Sequence, residues 1–548
     1  MNTPAPTSPA IVAERGAQRL PRLPLLLLCA AYLLPGLFGR DPWRNADLTA
    51  YGFMASIAQG HAPWWKPAIA GIAAGGGPLP YWVGALAIKS LPWLDPALAA
   101  RLPYALMLAL VFALVWYSAF NLARTEAAQP VAFAFGGEAQ AEDYARALAD
   151  GALLALIASL GLLQLGHETT PELMQLMFAT LWLFGLSAAP YHAAQARVAV
   201  LVALPGLAAA GAPAVALVLA ALGLLLCARS SYAAVRRLIP WLLVAGALAA
   251  LAAWTFHAWA WRVERLESVR QVLSLFAWFC WPAWPLALWT VWRWRMHWQR
   301  RHIFVPLACT FVPATACVLM GGSDRALLLA LPPLAVLAAF ALPTLKRSLS
   351  SAIDWFSVFF FTAVALFVWL YYLSMQTGAP AQPLANLRRL FHGFEPSFNA
   401  LALLLAVLGT LCWAALVRWR TARHRHAFWK SLALPAGGVA LCWLMVMTLG
   451  LPLANYTRSN SALVGATRKA LPEHFNCLAA PGQPLATLAA LEFQGHWAVH
   501  ADETPARSGC EFALRQPEST TPAGWADVAA VRGPTDHGDS YVLMRRAR

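Results

Sequence analysis

The sequence predicts a polytopic α-helical membrane protein with about thirteen transmembrane helices, interfacial helices in the first outer loop and a small C-terminal α/β domain. Hydrophobic residues make up 60% of the 548 residues and charged residues 12%, about half the charged share of a soluble domain. Most of the hydrophobic residues lie in long runs. One aqueous core cannot bury so much apolar sequence, and we exclude a soluble protein.

Apolar runs bounded by charges, Gly/Pro clusters or tryptophans predict the individual spans. Several runs are shorter than the roughly 20 residues that cross hydrocarbon untilted, so the count is accurate to about one or two spans. The predicted spans are 23–38, 101–123, 151–166, 172–188, 197–210, 213–228, 238–256, 272–292, 303–320, 326–343, 354–374, 398–417 and 432–451.

Basic clusters predict the orientation of these spans, because Lys and Arg collect at cytoplasmic ends. Such clusters follow the sixth, eighth, tenth and twelfth spans, at 229–237, 293–301, 346–347 and 418–430. With residues 1–22 as a cytoplasmic tail, an odd number of spans places the C-terminus outside. The chain then divides into the tail 1–22, a transmembrane domain 23–452 and an outer domain 453–548.

The formal net charge of +15 comes largely from these clusters and not from a continuous basic face. We therefore expect no nucleic-acid partner. Of the nine cysteines, only Cys477 and Cys510 lie outside apolar runs, and they are expected to form a disulfide if the tail faces an oxidising compartment. No His/Cys cluster has metal-site spacing, so we expect no essential metal and no cofactor.

The first outer loop, 39–100, is too apolar for a free loop and too rich in Pro and Gly for a span. Helices lying on the membrane surface fit it best. Its stretch RDPWRNADLTAY, residues 40–51, places Asp47 just after the first span. A carboxylate there can orient or deprotonate a hydroxyl or amine. Alternatively, Asp47 caps the helix that follows, and the residues alone leave both interpretations open.

Several motifs resemble those of one family. Asp47 and Tyr51 match in order and spacing the opening motif of the protein O-mannosyltransferase and lipid A aminoarabinose transferase family, which belongs to the C superfamily (GT-C) of glycosyltransferases. The segment GPLPYW at 77–82 is similar to the Pro-Leu-Tyr-Trp segment of that family, and ARLP at 100–103 to its entry into the second span. The segment GGSDR at 321–325 leads into LPPL at 331–334. It resembles the part of the family sequence where a basic residue precedes a span that contains Leu-Pro.

This resemblance implies a membrane glycosyltransferase that moves a sugar from a polyprenyl-phosphate carrier to a lipid A, glycan or protein acceptor. The reaction would take place at the periplasmic face of the bacterial inner membrane, among membrane lipids, with Asp47 as general base. The N-terminus would be cytoplasmic. Residues 39–100 would be the first periplasmic loop, and the small C-terminal α/β domain would be periplasmic.

The resemblance also gives roles to other residues. Related enzymes carry an acid between the third and fourth spans, and Glu172 is our second catalytic candidate. Capping of the next helix by Glu168 and Glu172 is the alternative. For substrate binding we name Tyr51, Tyr81, Trp82, Glu168 and His167. For the phosphate, which needs cationic stabilisation, we name Arg101, Arg325, Arg265 and Arg270, although arginines at span ends also serve as membrane anchors.

The sequence also departs from the family pattern. Leu48 stands where many relatives have a second acid, and Gly76 and Gly77 stand where an acidic and a basic residue precede the proline. Ala212-Pro213 replaces a lysine-glycine pair. These departures leave the donor and the sugar open. The alternatives are a membrane transporter or lipid flippase, and a catalytically inactive GT-C relative.

Overall fold

The computed structural model describes residues 8–43, 45–259, 262–266, 268–391, 393–421, 427–501, 508–533 and 540–547. Residues 1–7 of the predicted tail and 422–426 of the last basic cluster therefore lie outside the described residues. Helices dominate the first 470 residues and strands the end of the chain.

The α-helices are numbered in chain order. They are α1 (Arg22–Leu33), α2 (Ala46–Gln59), α3 (Leu79–Ser90), α4 (Pro96–Ala123), α5 (Ala141–Ala158), α6 (Leu160–Leu165), α7 (Pro171–Ala188), α8 (Ala193–Ala209), α9 (Pro213–Ala228), α10 (Ala233–Arg236), α11 (Ile239–Thr255), α12 (Val269–Phe279), α13 (Ala283–Arg293), α14 (Arg301–Leu319), α15 (Asp324–Leu328), α16 (Leu331–Ala339), α17 (Arg347–Thr377), α18 (Ala381–Leu390), α19 (Ala400–Thr421), α20 (Ala433–Val446), α21 (Leu451–Arg458), α22 (Ser461–Ala470) and α23 (Leu485–Ala489).

Among the described residues, seven helical segments are long and apolar enough to cross a membrane. They are Pro96–Ala123, Ala233–Thr255, Arg301–Leu319, Asp324–Thr344, Arg347–Thr377, Ala400–Thr421 and Phe428–Val446. The chain is therefore a multi-span membrane protein, while the count of thirteen spans stays a prediction. The short apolar helices α8 and α9 coincide with two predicted spans that fall below this length.

In the structure the predicted span 272–292 is bent, because it consists of α12 and α13, which meet at 89°. Pro282 lies in the break. A proline has no N–H to continue the helical ladder, and the chain turns there.

Packing of the spans leaves the segment Asp324–Thr344, which contains α15 and α16, at the centre of the bundle, with 83% of its apolar stretch buried inside the protein. It contacts α5, α13 and α14, while α4 packs on α5 and α7. By contrast, only 11% of the window of α19 is buried. Since α19 is predominantly apolar before its basic last turn, its exposed side chains there are suited to lipid.

The N-terminal segment 8–20 is held by residues far along the chain. The amide of Val131 donates to the carbonyl of Ala10, and the amide of Glu14 donates to the carbonyl of Gly137, both at 3.0 Å. The indole of Trp429 donates to the carbonyl of Gln18. This segment is an ordered strap across the end of the bundle.

The strands form a small hairpin in the first loop and a sheet at the C-terminus. They are β1 (Ala68–Ile69), β2 (Ile72–Ala73), β3 (Leu478–Ala479), β4 (Val499–His500), β5 (Phe512–Arg515), β6 (Trp525–Arg532) and β7 (Ser540–Arg546). The C-terminal sheet has the order β4-β3-β5-β7-β6, with β3 parallel to both of its neighbours and the other pairs antiparallel. Cys477 and Cys510, which precede β3 and β5, form a disulfide.

The C-terminal region packs directly on α2. Gly52 faces it, and a Cβ at this position would lie 2.6 Å from the Cβ of Ala489 and 2.9 Å from a side-chain atom of Ile69. Only glycine permits this approach. Helix α2 is therefore enclosed by the hairpin and α23, and it is a packed helix rather than one lying free on the membrane surface.

Candidate active site

Asp47 is the second residue of α2 and is 1% exposed. The N-cap of α2 is Asn45, which has a φ of 67°. The carboxylate of Asp47 is bonded by groups outside this helix: its Oδ1 accepts from the amide and the hydroxyl of Thr169, each at 2.7 Å, and its Oδ2 accepts from the amide of Trp43 at 3.1 Å. These contacts with Thr169 and Trp43, and not capping, hold the carboxylate.

Two buried arginines accompany Asp47. Nη2 of Arg40 lies 3.3 Å from Oδ2 of Asp47 and also donates to the carbonyl of His167 at 2.8 Å. Arg101, 4% exposed, donates from Nη1 to the carbonyl of Leu37 at 3.4 Å. Burial alone raises the pKa of a carboxyl, but here Arg40, Arg101 and the two Thr169 hydrogen bonds outweigh it and hold the pKa of Asp47 below its ordinary 3.8. Asp47 is an anion at neutral pH.

The two glutamates before and within α7 share one cation. Nη2 of Arg325 lies 2.7 Å from Oε2 of Glu168, and its Nη1 lies 3.4 Å from Oε2 of Glu172. Gln164 donates to the other oxygen of Glu168 at 2.9 Å. Burial raises the pKa of Glu168, the nearby Asp47 adds to this, and Arg325 opposes it. The N-cap of α7 is Thr170, so Glu168 forms an ion pair instead of capping the helix.

A cavity of about 190 Å³ adjoins this cluster. Its polar lining residues are Thr49, Tyr81, Glu172, Gln175 and Arg262, and its other walls are the backbone at 75–76 and 210–211 and the small residues at 46, 50 and 171. Asp47 lies behind this lining, because its neighbours on α2 form the wall. The cavity thus presents one carboxylate, one guanidinium and a phenol to a ligand.

Glycines form one wall of this cavity at a close approach of two backbones. A Cβ on Gly77 would lie 1.8 Å from the carbonyl oxygen of Ala209, and a Cβ on Gly76, which has a φ of 122°, would lie 3.3 Å from Nη2 of Arg262. Of the two positions that depart from the family pattern, Gly77 therefore has no room for a side chain, and Gly76 has a backbone conformation that other residues rarely adopt. The guanidinium of Arg262 lies beside them.

The other residues predicted to bind substrate lie around the cavity in different ways. Tyr81 lines it and packs on Phe53, with ring centroids 5.0 Å apart; burial and Glu172 raise its pKa. Tyr51 is 9% exposed, and burial raises its pKa to about 12. The indole of Trp82 donates to the carbonyl of Trp64 at 2.5 Å. Tyr81 is the member of this set that a ligand in the cavity would touch.

His167 is held by the bundle. Its ring lies between Tyr32 and Trp443, with centroid distances of 5.1 and 4.4 Å, and its two ring nitrogens lie 2.7 and 2.8 Å from the carbonyl oxygens of Leu163 and Tyr32. Burial lowers its pKa to about 4. These contacts make it a link between the Glu168 loop and the end of α1.

The predicted phosphate-binding arginines do not converge on one point. Arg101 interacts electrostatically with Asp47. Arg325 forms ion pairs with Glu168 and Glu172. Arg270 lines a separate open groove of about 800 Å³ that also contains Asp324 and Trp278. Arg265 is exposed on the segment before α12. The structure brings together Asp47, Glu168, Glu172, Arg101 and Arg325.

Sequence reasoning missed Arg40, Thr169, Gln175 and Arg262. Arg40 stands within the quoted motif and precedes Asp47 by seven residues, so its charge was a visible signal. Thr169 and Gln175 flank the chosen glutamates. Nothing in the local pattern around Arg262 distinguishes it from Arg265 and Arg270, since all three are single arginines in one loop.

One set of potential metal ligands occurs among the described residues: Cys477, His500 and Cys510, whose ligand atoms lie within 4.8 Å of one another. Both sulfurs belong to the disulfide and are not thiolates that could bind a metal.

The described chain shares its fold with a solved structure of GT-C fold, that of the lipid A aminoarabinose transferase ArnT from Cupriavidus metallidurans. The crystal structure of ArnT in the apo state matches with a TM-score of 0.60 and 15% sequence identity, over 95% of this chain and 97% of that chain. The crystal structure of the same protein bound to undecaprenyl phosphate matches with a TM-score of 0.58 and 15% identity, over 95% and 96%.

At this identity the similarity establishes the fold, and it confirms the fold that the sequence motifs implied. No protein-family model matches the sequence, and the search of curated proteins found no match.

Proposed function

We propose that this protein is a membrane glycosyltransferase that transfers a sugar from a polyprenyl-phosphate carrier to a lipid, glycan or protein acceptor at the periplasmic face. The observation that carries the proposal is the buried Asp47 anion, held beside a cavity that contains Glu172 and Arg262 in a chain of GT-C fold. A neighbour of the same fold binds undecaprenyl phosphate, which supports this class of donor. The periplasmic position of the cavity follows from the predicted orientation of the spans.

In the proposed reaction an acceptor hydroxyl or amine attacks the anomeric carbon of the sugar. The new bond forms as the bond from that carbon to the phosphate oxygen breaks, with inversion, and the carrier leaves as polyprenyl phosphate. Asp47 takes the proton from the acceptor. Because its pKa is low, Asp47 acts late, when the attacking atom has become acidic.

Asp47 needs access to the acceptor for this role. Four donors surround its carboxylate in the structure. The Thr169 hydroxyl is the one that a bond rotation can withdraw, since the other three are two backbone amides and a buried guanidinium. We propose that an acceptor O–H or N–H replaces this hydroxyl at Oδ1.

The remaining groups have supporting roles in the proposal. Glu172 lines the cavity and orients the acceptor, and Arg325 holds the carboxylate of Glu172 in place. Arg262 is the arginine in the cavity lining, so it meets the donor phosphate and neutralises the charge that develops there. Arg101 stabilises the Asp47 anion from behind. Arg265 and Arg270 would guide the anionic head group toward the cavity.

The test is turnover of polyprenyl-phosphate sugars by the purified protein in nanodiscs. We compare wild type with Asp47→Asn and Glu172→Gln, and use Glu142→Gln, at an exposed residue of α5, as a matched control. We expect turnover to fall by at least about 100-fold in Asp47→Asn, as loss of a general base does, and to be unchanged in the control. Equal turnover in Asp47→Asn would remove this residue from the chemistry. Absence of turnover with every donor would favour the transporter or inactive-relative alternatives.

A further inference from the structure

The short helix α21, which follows the last span, contacts the segment that leads to Asp47. The side chain of Asn455 makes three hydrogen bonds there. Its Nδ2 donates to the carbonyl of Gly39 at 2.9 Å, and its Oδ1 accepts from the amide of Asp41 at 3.2 Å and from the indole of Trp43 at 3.3 Å. The backbone amide of Trp43 in turn donates to Asp47. Asn455 is thus one residue removed from the proposed base.

The same helix contacts the glutamate loop through Arg458. Nη1 of Arg458 donates to Oε1 of Gln164 at 2.6 Å, and Nε2 of the same Gln164 side chain donates to Oε1 of Glu168 at 2.9 Å. The guanidinium of Arg458 also lies 5.3 Å from the ring centroid of Trp43. Asn455 and Arg458 are three residues apart, so they project from one side of α21.

Trp43 connects the two sets of contacts. It is 4% exposed and packs with Trp443 of the last span and with Met447, which follows that span. The guanidinium of Arg40 lies 4.9 Å from its ring, so both Arg40 and Arg458 contact this indole. A shift of α21 would therefore move Trp43, and with it a donor to Asp47, together with Gln164, a donor to Glu168.

We propose that α21 is a brace that fixes the distance between the two acid-bearing segments, with Asn455 and Arg458 as positioning residues for the transfer reaction. This proposal rests on the proposed function for its effect on turnover. It assigns to the segment after the last span a role in the site itself, and not only in attaching the C-terminal sheet.

The neighbouring helix α22 offers a matched control. Arg468 is an arginine of the same region, and it donates to the carbonyls of Gln494 and Gly495 and contacts Trp497. These partners all belong to the C-terminal region. Replacing Arg468 tests what loss of an arginine contact does to this region alone.

The experiment combines turnover with hydrogen exchange in nanodiscs. We expect Asn455→Ala and Arg458→Ala each to lower kcat about tenfold with KM within about twofold, which corresponds to 1.4 kcal/mol of transition-state stabilisation. Arg458→Lys should recover part of the loss, and Arg468→Ala should behave as wild type. We also expect the double variant to lose less than the product of the single effects, because both residues act through Trp43.

Hydrogen exchange separates the brace from the chemistry. In Arg458→Ala, amides in 160–172 and in 39–47 should both exchange faster, since the two segments are coupled, while the C-terminal sheet keeps its protection. If the coupled exchange occurs without turnover of any donor, the brace is supported and the proposed function fails. If exchange stays local to 160–172, or if Arg468→Ala lowers kcat equally, the brace is overturned.

Discussion

Replacing Thr169 by valine tests whether Asp47 is an anion held by hydrogen bonds. Valine keeps the volume of the side chain and the backbone amide that donates to Oδ1, and it removes only the hydroxyl at 2.7 Å. A hydrogen bond to a charged group contributes about 1.5 to 3 kcal/mol. Thr169 is 3% exposed, so water cannot replace the hydroxyl easily. We expect Thr169→Val to lower the free energy of unfolding by about this amount at pH 7.

Because Asp47 is charged, the free energy of unfolding that Thr169→Val removes should depend on pH and on whether residue 47 is aspartate or asparagine. In an Asp47→Asn background the acceptor is neutral, and the same substitution should cost about half as much. The pKa of Asp47 is lowered on folding, so the stability from its anion is present above the unfolded pKa and is lost as pH falls through the folded pKa. The effect of Thr169→Val should therefore be constant from pH 8 to pH 5 and decline only below the ordinary value of 3.8.

The assay is equilibrium unfolding in mixed micelles by a denaturing detergent, with all four combinations of the two substitutions. Turnover gives a second measurement: since the lost hydrogen bond lowered the pKa of Asp47, the acid limb of the pH–rate profile should move to higher pH. If Thr169→Val lowers the free energy of unfolding equally with aspartate and with asparagine at position 47, the hydrogen-bond partner is not an ionised Asp47. The same conclusion follows if the effect of Thr169→Val disappears near pH 6.

Three other predictions concern the rest of the protein. Gly77→Ala should abolish both folding yield and turnover, because its Cβ would lie 1.8 Å from a backbone oxygen; normal yield would contradict the close approach. Asp354→Asn should lower the free energy of unfolding by about 3 to 5 kcal/mol, since it breaks a buried ion pair with Arg420 at 2.7 Å, and adding Arg420→Gln should recover part of it. Reducing Cys477–Cys510, which closes a loop of 33 residues, should destabilise the C-terminal sheet by about 3 to 4 kcal/mol, measured by its proteolysis.

Several predicted spans coincide with helices that are long and apolar enough to cross a membrane, but their bounds differ where charged residues have tertiary partners. The second span was predicted to begin at Arg101, but α4 begins at Pro96, with the Asp95 side chain accepting from the amide of Leu98 at 3.0 Å. Arg101 lies inside the helix, where it is buried and interacts electrostatically with Asp47. A charge usually marks the end of a span, and here it does not.

The third predicted span shows a different limit. The charges at 142–150 predict that this span begins at 151, yet α5 begins at Ala141. Glu142 and Arg146 form an ion pair at 2.7 Å on successive turns, which suits a helix exposed to water. Hydropathy detects the apolar part of a helix and not its polar extension.

The site could be predicted only as far as local motifs extend. Asp47, Glu168 and Glu172 were chosen from short motifs, and the structure places all three around one cluster. Their partners were not readable in the same way, since Thr169 is 122 residues from Asp47 in the chain. Contacts over such separations depend on the packing of whole helices.

The N-terminal strap has a consequence for how the chain is made. The amide of Leu20 donates to Asp150 at 2.8 Å, and the carbonyl of Gln18 accepts from Trp429. A growing chain emerges from the ribosome N-terminus first, so residues 8–20 wait for partners that are synthesised more than 100, and finally about 400, residues later. Residues 8–20 thus gain the last of these contacts only after residue 429 has been synthesised, and chains that stop before residue 429 leave this segment without it.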